Sequence, residues 1–380
     1  MKKGGVYFLV LAISIILISC TSNNNIIKEE RRIKDTTSYK SEDIESINKI
    51  EDFIKEQEQY IIEKNKEKYM ETLSKDEEEY YWEKIHWFDD IISSDIEGYS
   101  LEVLKVEKVD DLKFRAELLQ KYHCNEKDYS LKYANIYRIK DNKILDYDLD
   151  FKTFETEHFI IKYLGKLQLK EWLCEQVEKG YNIATGNYGQ TLKDKTIIKL
   201  YDDRELLRQS VKLSFGWQFG GWYEYPESIK FLKLKNFTDY FKRGIAHELI
   251  HKLTIEEAAN NMPYWLAEGL AEHFSKEEGI GDRYQPSYEL IELEKIDLEN
   301  YEGNIYDYYE SSRFYVERMI EAYGIEKVKE ILKELSEYGF QEKTNGEIYL
   351  ENNKKFHEVI QKVLGTTFEE MNAEFSVDQI

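Results

Sequence analysis

Cysteine and histidine are scarce in this chain of 380 residues: three cysteines, at positions 20, 124 and 174, and seven histidines. Thiols at such unrelated positions make no metal motif, and nothing in their spacing indicates a disulfide. Positive charge is also short, with 53 lysines and arginines against 75 aspartates and glutamates and a net charge of −22. A surface of that sign repels nucleic acid and anionic membrane, which excludes both as electrostatic partners and leaves a solvated acidic exterior. A long apolar run is missing too, because the stretch from Val6 to Ile18 is too short to cross a hydrocarbon core of ~30 Å as a helix. What the chain does have is 42% hydrophobic residues over a length sufficient for two domains. No internal repeat or low-complexity block interrupts it.

Lys2 and Lys3 followed by the short apolar run read as a secretion signal over residues 1–19. The run ends in Leu17-Ile18-Ser19-Cys20, which resembles the lipobox of bacterial lipoproteins. That resemblance implies cleavage before Cys20, a lipid on Cys20, and anchorage to the extracytoplasmic face of the cell membrane. Cleavage removes Lys2 and Lys3 and no acid, which moves the net charge from −22 to −24. Residues 20–45 are polar, with Asn23-Asn24-Asn25 and few large apolar side chains, and are expected to form a tether.

An α+β fold in two parts is expected beyond the tether. Ile47, Ile50, Phe53, Ile54, Tyr60, Ile61 and Tyr69 recur at helical spacing, which predicts one long or broken helix over Ser46–Leu73. An aromatic-rich stretch follows, and then apolar residues alternate through Leu101–Val103, Phe114–Leu118 and Tyr133–Ile139 as in strands. Asp141-Asn142-Lys143 punctuates a hairpin before Ile144–Tyr147. A helix followed by antiparallel strands suits a curved sheet wrapped round a helix over residues 46–152, in a pattern that looks like the cone-shaped nuclear-transport-factor-like or SnoaL-like fold. His86 and His123 lie in this part beside aromatics and read as structural. Residues 153–380 are expected to form a second, mostly helical domain with a small sheet: strands at Glu157–Tyr163, Lys195–Tyr201 and Ser228–Leu232, and a helix at Leu167–Ala184.

The chemistry concentrates in Gly244-Ile-Ala-His247-Glu248-Leu-Ile-His251-Lys-Leu253, a helical stretch uninterrupted after Gly244. Residues four apart share a helix face, so His247 and His251 can direct two imidazoles at one ion while Glu248 stands beside the water on it. Zinc asks for a third protein ligand and one open position. Pro263-Tyr-Trp-Leu-Ala-Glu268-Gly-Leu-Ala-Glu272-His-Phe274 offers Glu268 and Glu272, again four apart, after a proline at a helix start. Glu268 reads as the ligand and Glu272 as the carboxylate that orients a ligating imidazole, with the exchanged assignment as the rival. Thr254 and Glu257 stand where a metzincin would have its glycine and third histidine.

His-Glu-Leu-Ile-His together with Pro-Tyr-Trp-Leu-Ala-Glu-Gly-Leu-Ala-Glu resembles the gluzincin clan of zinc peptidases, particularly bacterial peptidase MA-like domains. Trp265–Gly269 is similar to the helix with the third ligand in aminopeptidase N relatives, whose ligand glutamate falls on Glu268. Sixteen residues separate His251 from Glu268, somewhat fewer than in thermolysin-like enzymes. The resemblance covers about residues 154–380. It implies a Zn2+ cofactor, a peptide or protein substrate, and Glu248 as the general base that passes a proton from water to the leaving amine. It also implies that Phe215–Tyr225 edges the cleft and that Tyr309, next to Tyr306 and Tyr308, offers a hydroxyl to the oxyanion. A catalytically inert surface lipoprotein that uses both domains for binding is the alternative. His158, His273 and His357 read as structural.

Overall fold

The computed structural model describes residues 41–216, 219–233, 240–276, 285–298, 301–342 and 348–376. The expected signal segment, Cys20 and most of the tether lie outside the described residues, as do Trp217 and Gln218. The first helix, α1 (Ser41–Ile62), begins inside the stretch expected as tether; α2 (Lys66–Glu71) and α3 (Glu78–Ser93) follow. The chain then forms an antiparallel meander in the order β1 (Glu97–Lys108), β2 (Lys113–Cys124), β3 (Lys127–Lys140) and β4 (Lys143–Leu149). The hairpins at Asn125-Glu126 and Asp141-Asn142 place both central residues at positive φ, between 50° and 62°. That is what a two-residue turn matched to strand twist requires.

Along β2 every second side chain is buried: Phe114, Ala116, Leu118, Gln120, Tyr122 and Cys124. The apolar ones join Ile50 and Ile54 of α1 and Trp87, Phe88 and Ile91 of α3 in one core. α3 departs from the sequence expectation, in which this aromatic-rich stretch has no assigned structure. Its aromatic face covers the meander, while Glu79, Glu83, His86 and Asp90 are buried as well. A helix covered on more than one side shows no clean polar face, so periodicity does not reveal it.

The second sheet runs β5-β6-β7-β9-β8. Its central strands β6 (Phe159–Tyr163), β7 (Thr196–Tyr201) and β9 (Ile229–Leu232) are parallel; the edges β5 (Lys152–Glu155) and β8 (Gly221–Trp222) are antiparallel. The expected strand at Glu157 begins at Phe159, and the sequence pattern anticipates neither β5 nor α5 (Arg204–Val211). One face of the sheet carries Phe159, Ile161, Ile198, Leu200, Ile229 and Phe231 into the larger core, with α4 (Lys170–Tyr188) and α6 (Tyr240–Glu257). α7 (Tyr264–Phe274), α8 (Leu290–Leu293), α9 (Ile305–Tyr323), α10 (Ile325–Ser336), α11 (Ile348–Leu364) and α12 (Phe368–Phe375) complete that core.

On the sheet's other face the strand register aligns Lys162 with Lys199 and Lys199 with Lys230. Acids of the amino-terminal layer meet this ladder. Lys162 pairs with Glu77 and Glu79, and Lys199 pairs with Glu83 at 2.8 Å and Asp148 at 2.5 Å. Lys230 pairs with Glu227 and lies 3.7 Å from Glu83. Burial alone would raise the Glu83 carboxyl, but Lys199 and Lys230 hold it well below the ordinary carboxylate range. Buried pairs of this kind add little net stability, yet loss of one partner strands the other and costs about 3–5 kcal/mol, which makes them strict about geometry. Both layers belong to one compact unit, Glu42–Ile380. Among the described residues no helix is long and apolar enough to cross a membrane.

Candidate metal centre

α6 buries Ile245, Ala246, Leu249, Ile250 and Leu253, and the remaining stripe of the helix carries His247 and His251. α7 starts after Pro263 at φ −58° and buries Trp265, Leu266, Leu270 and Ala271, leaving Glu268 and Glu272 on the stripe opposite the histidines. Gly269 lets α9 close on α7: a Cβ there would lie 2.4 Å from the Ser312 carbonyl oxygen. α9 in turn brings Tyr309 beside His247.

The two Nε2 atoms of His247 and His251 are 3.1 Å apart, and Glu268 Oε2 lies 3.3 Å from the first and 3.4 Å from the second. Ligands at ~2.0–2.1 Å from a tetrahedral zinc are separated by about 3.3–3.4 Å, so this triangle matches one face of such a site. Glu268 Oε2 is also buried without a hydrogen-bond partner, as is Nδ1 of His251. The donor set of two imidazoles and one carboxylate suits zinc and leaves a fourth position open.

Glu272 stands on the far side of the His247 ring, with Oε1 3.2 Å from Nδ1, and its other oxygen pairs with Arg243. It can fix the tautomer of His247, whereas Glu268 is the one of the two glutamates that groups with both histidines within reach of a single ion. Sequence reasoning misses Arg243, although it lies one turn before His247 on the same face of α6. Electrostatics reinforce the arrangement. Burial disfavours a charged His247, yet Glu268 and Glu272 raise its pKa well above the imidazole value. Burial would likewise raise Glu268, and His251 and His247 bring it down to about 2. The pocket therefore attracts positive charge.

Glu248 is buried, and burial raises its carboxyl pKa, the direction that suits a general base. It lines a cavity of about 140 Å³ together with His247, His251, Glu268 and Tyr309. It also lines a more open groove of about 490 Å³ reaching Phe241, Arg243 and Ile305. Of the three neighbouring tyrosines, Tyr309 lines both spaces with its ring 5.9 Å from that of His247, Tyr308 is fully buried in the core and Tyr306 is exposed.

Gly221, on edge strand β8, approaches Glu248 so closely that a Cβ would lie 2.7 Å from Oε1 and 2.7 Å from the Phe231 ring. Gly221, within the stretch expected to edge the cleft, thus lies against the Glu248 carboxylate. For the reaction proposed below, Gly221→Ala is expected to displace Glu248 and lower kcat/KM by about 10–100-fold with metal content unchanged; parallel activity and metal assays check this.

Two further groups converge. His86, Glu224 and Glu227 are all buried, but His86 Nδ1 and Glu227 Oε1 are 2.5 Å apart, a hydrogen bond rather than an edge of a coordination polyhedron. The other Glu227 oxygen belongs to Lys230, so both Glu227 oxygens already have partners within the protein. Glu157, His158 and Glu178 lie at the surface, where His158 bonds Glu178 at 2.6 Å and stacks on Tyr181. His123, His273 and His357 each bond a neighbouring acid: Asp128, Glu317 and Glu294. Neither the scan against protein-family models nor the search of the curated proteins returns a match for this chain.

Proposed function

We propose that this protein is a zinc-dependent metallopeptidase of the gluzincin type, held by a lipid on Cys20 to the extracytoplasmic face of the membrane. The observation that carries the reading is the triangle of His247, His251 and Glu268 with Glu248 beside it and an open cavity in front. His247 Nε2, His251 Nε2 and Glu268 Oε2 would hold the ion. A divalent zinc held there supplies Lewis acidity toward a peptide carbonyl and makes water a nucleophile near neutral pH.

The chain's own groups do the rest. Glu248 takes the proton of the attacking water on a carboxylate oxygen and returns it to the departing amine nitrogen, so the carboxylate ends the cycle unprotonated. Tyr309, which lines the cavity beside His247, would donate a hydrogen bond from its hydroxyl to the oxyanion; burial, then Glu268 and Glu248, push its pKa well above the phenol value, so it stays a donor. Glu272 orients His247, and Arg243 orients Glu272. β8 is an edge strand, along which an extended peptide can add by main-chain hydrogen bonds. Incubation of the zinc-loaded protein with a mixed peptide library, read by mass spectrometry, should yield new termini that vanish with a chelator and return with zinc. An unchanged library would favour the inert binding protein instead.

A further inference from the structure

The loop Tyr223–Ser228, between β8 and β9, forms part of the cleft wall: Tyr223 and Glu224 line the same cavity as His247, Glu248 and His251. Support for it comes from two directions. From α6, Glu256 accepts a hydrogen bond from Tyr223 at 3.2 Å. From the amino-terminal layer, one stripe of α3 reaches the loop at several points. His86, 1% exposed, meets Glu227 through Nδ1 at 2.5 Å, and Ser228 donates to Glu83 at 2.5 Å. Trp82 packs edge-on against Phe340, which packs edge-on against Tyr225. Glu83 is itself fixed by Lys199, and Glu227 by Lys230, so these bonds stand on the sheet's lysine ladder.

We propose that α3 is a positioning element of the substrate cleft, with His86 holding the Tyr223–Ser228 wall through Glu227, so that the amino-terminal layer sets peptide binding. His86 touches neither the zinc ligands nor the reacting atoms; it acts through Glu227 on the wall. This inference rests on the peptidase reading for the identity of the ligand, but the placement of the wall can be measured without turnover.

The test uses the full chain with three substitutions. His86→Phe keeps a ring and removes both nitrogens, His86→Asn returns a donor near the position of Nδ1, and Ser228→Ala removes only the bond to Glu83. In metal-free protein, amide hydrogen exchange over residues 221–232 should quicken in His86→Phe and Ser228→Ala while the amides of α7 keep their protection, and His86→Asn should restore most of it. With a peptide that the wild type cleaves, His86→Phe should raise KM about tenfold, the size of one lost charged hydrogen bond, with kcat within about twofold and zinc content unchanged. Unchanged exchange in both variants, faster exchange spread evenly through the chain, or an equal fall in kcat with KM constant would overturn the proposal. A wild type that cleaves nothing while the local exchange pattern holds would count against the peptidase reading and still support the positioning of the wall.

Discussion

Glu248→Gln should leave a folded protein with one zinc per chain and almost no turnover. The side chain is buried beside both histidines and lies against Gly221, where an amide of equal size keeps the packing intact. His247, His251 and Glu268 are untouched, so metal content should match the wild type. What disappears is a carboxylate able to accept a proton. A well-placed general base contributes ~10²–10⁴ in rate, and kcat should fall by about that factor, or ~3–5.5 kcal/mol of barrier. KM should move little, because the substituted amide still fills the same place in the cleft. Peptide cleavage assays beside metal analysis separate the two effects, and a Glu248→Gln protein as fast as the wild type would remove Glu248 from the mechanism.

Replacements of the two glutamates of α7 should differ in kind. Glu268→Gln takes away the carboxylate whose oxygen sits 3.3 and 3.4 Å from the two Nε2 atoms, and with it the negative charge that draws a cation into the pocket. Zinc that survives dialysis should drop from about one per chain to a small fraction, and activity with it. Glu272→Gln keeps the three donors and loses the anion behind His247 that also pairs with Arg243. Loss of such an outer partner weakens metal affinity by roughly 10–100-fold, so activity should return when zinc is raised. Zinc loss only in Glu272→Gln would exchange the two roles, and equal loss in both variants would contradict the distinction between them.

The part of the site legible in the sequence is the part that helix geometry alone determines. The four-residue spacings of His247 with His251 and of Glu268 with Glu272 each place two side chains on one face whatever the rest of the fold does. Which glutamate meets the ion depends on how α7 lies on α6, a tertiary fact. The same holds for Tyr309, which only the rotation of α9 distinguishes from Tyr306 and Tyr308. The meander is readable in part because β2 alternates cleanly and Asp141-Asn142 marks the turn between β3 and β4. α3 is not, since it is covered on both its aromatic and its acidic sides. Lys162, Lys199 and Lys230 look in sequence like solvated positions of alternating strands; only strand register and the acids of α3 reveal them as a buried ladder. His86 reads as structural in the sequence, and its structural role falls on the cleft wall.

The most direct measurement is the anomalous scattering of a crystal of the zinc-loaded protein, recorded on both sides of the zinc edge. One strong peak is expected at ~2.0–2.2 Å from His247 Nε2, His251 Nε2 and a Glu268 carboxylate oxygen. A zinc-replete crystal with no peak among these three side chains, or with Glu268 turned away from the one that forms, would contradict the shared site on which the proposed chemistry depends.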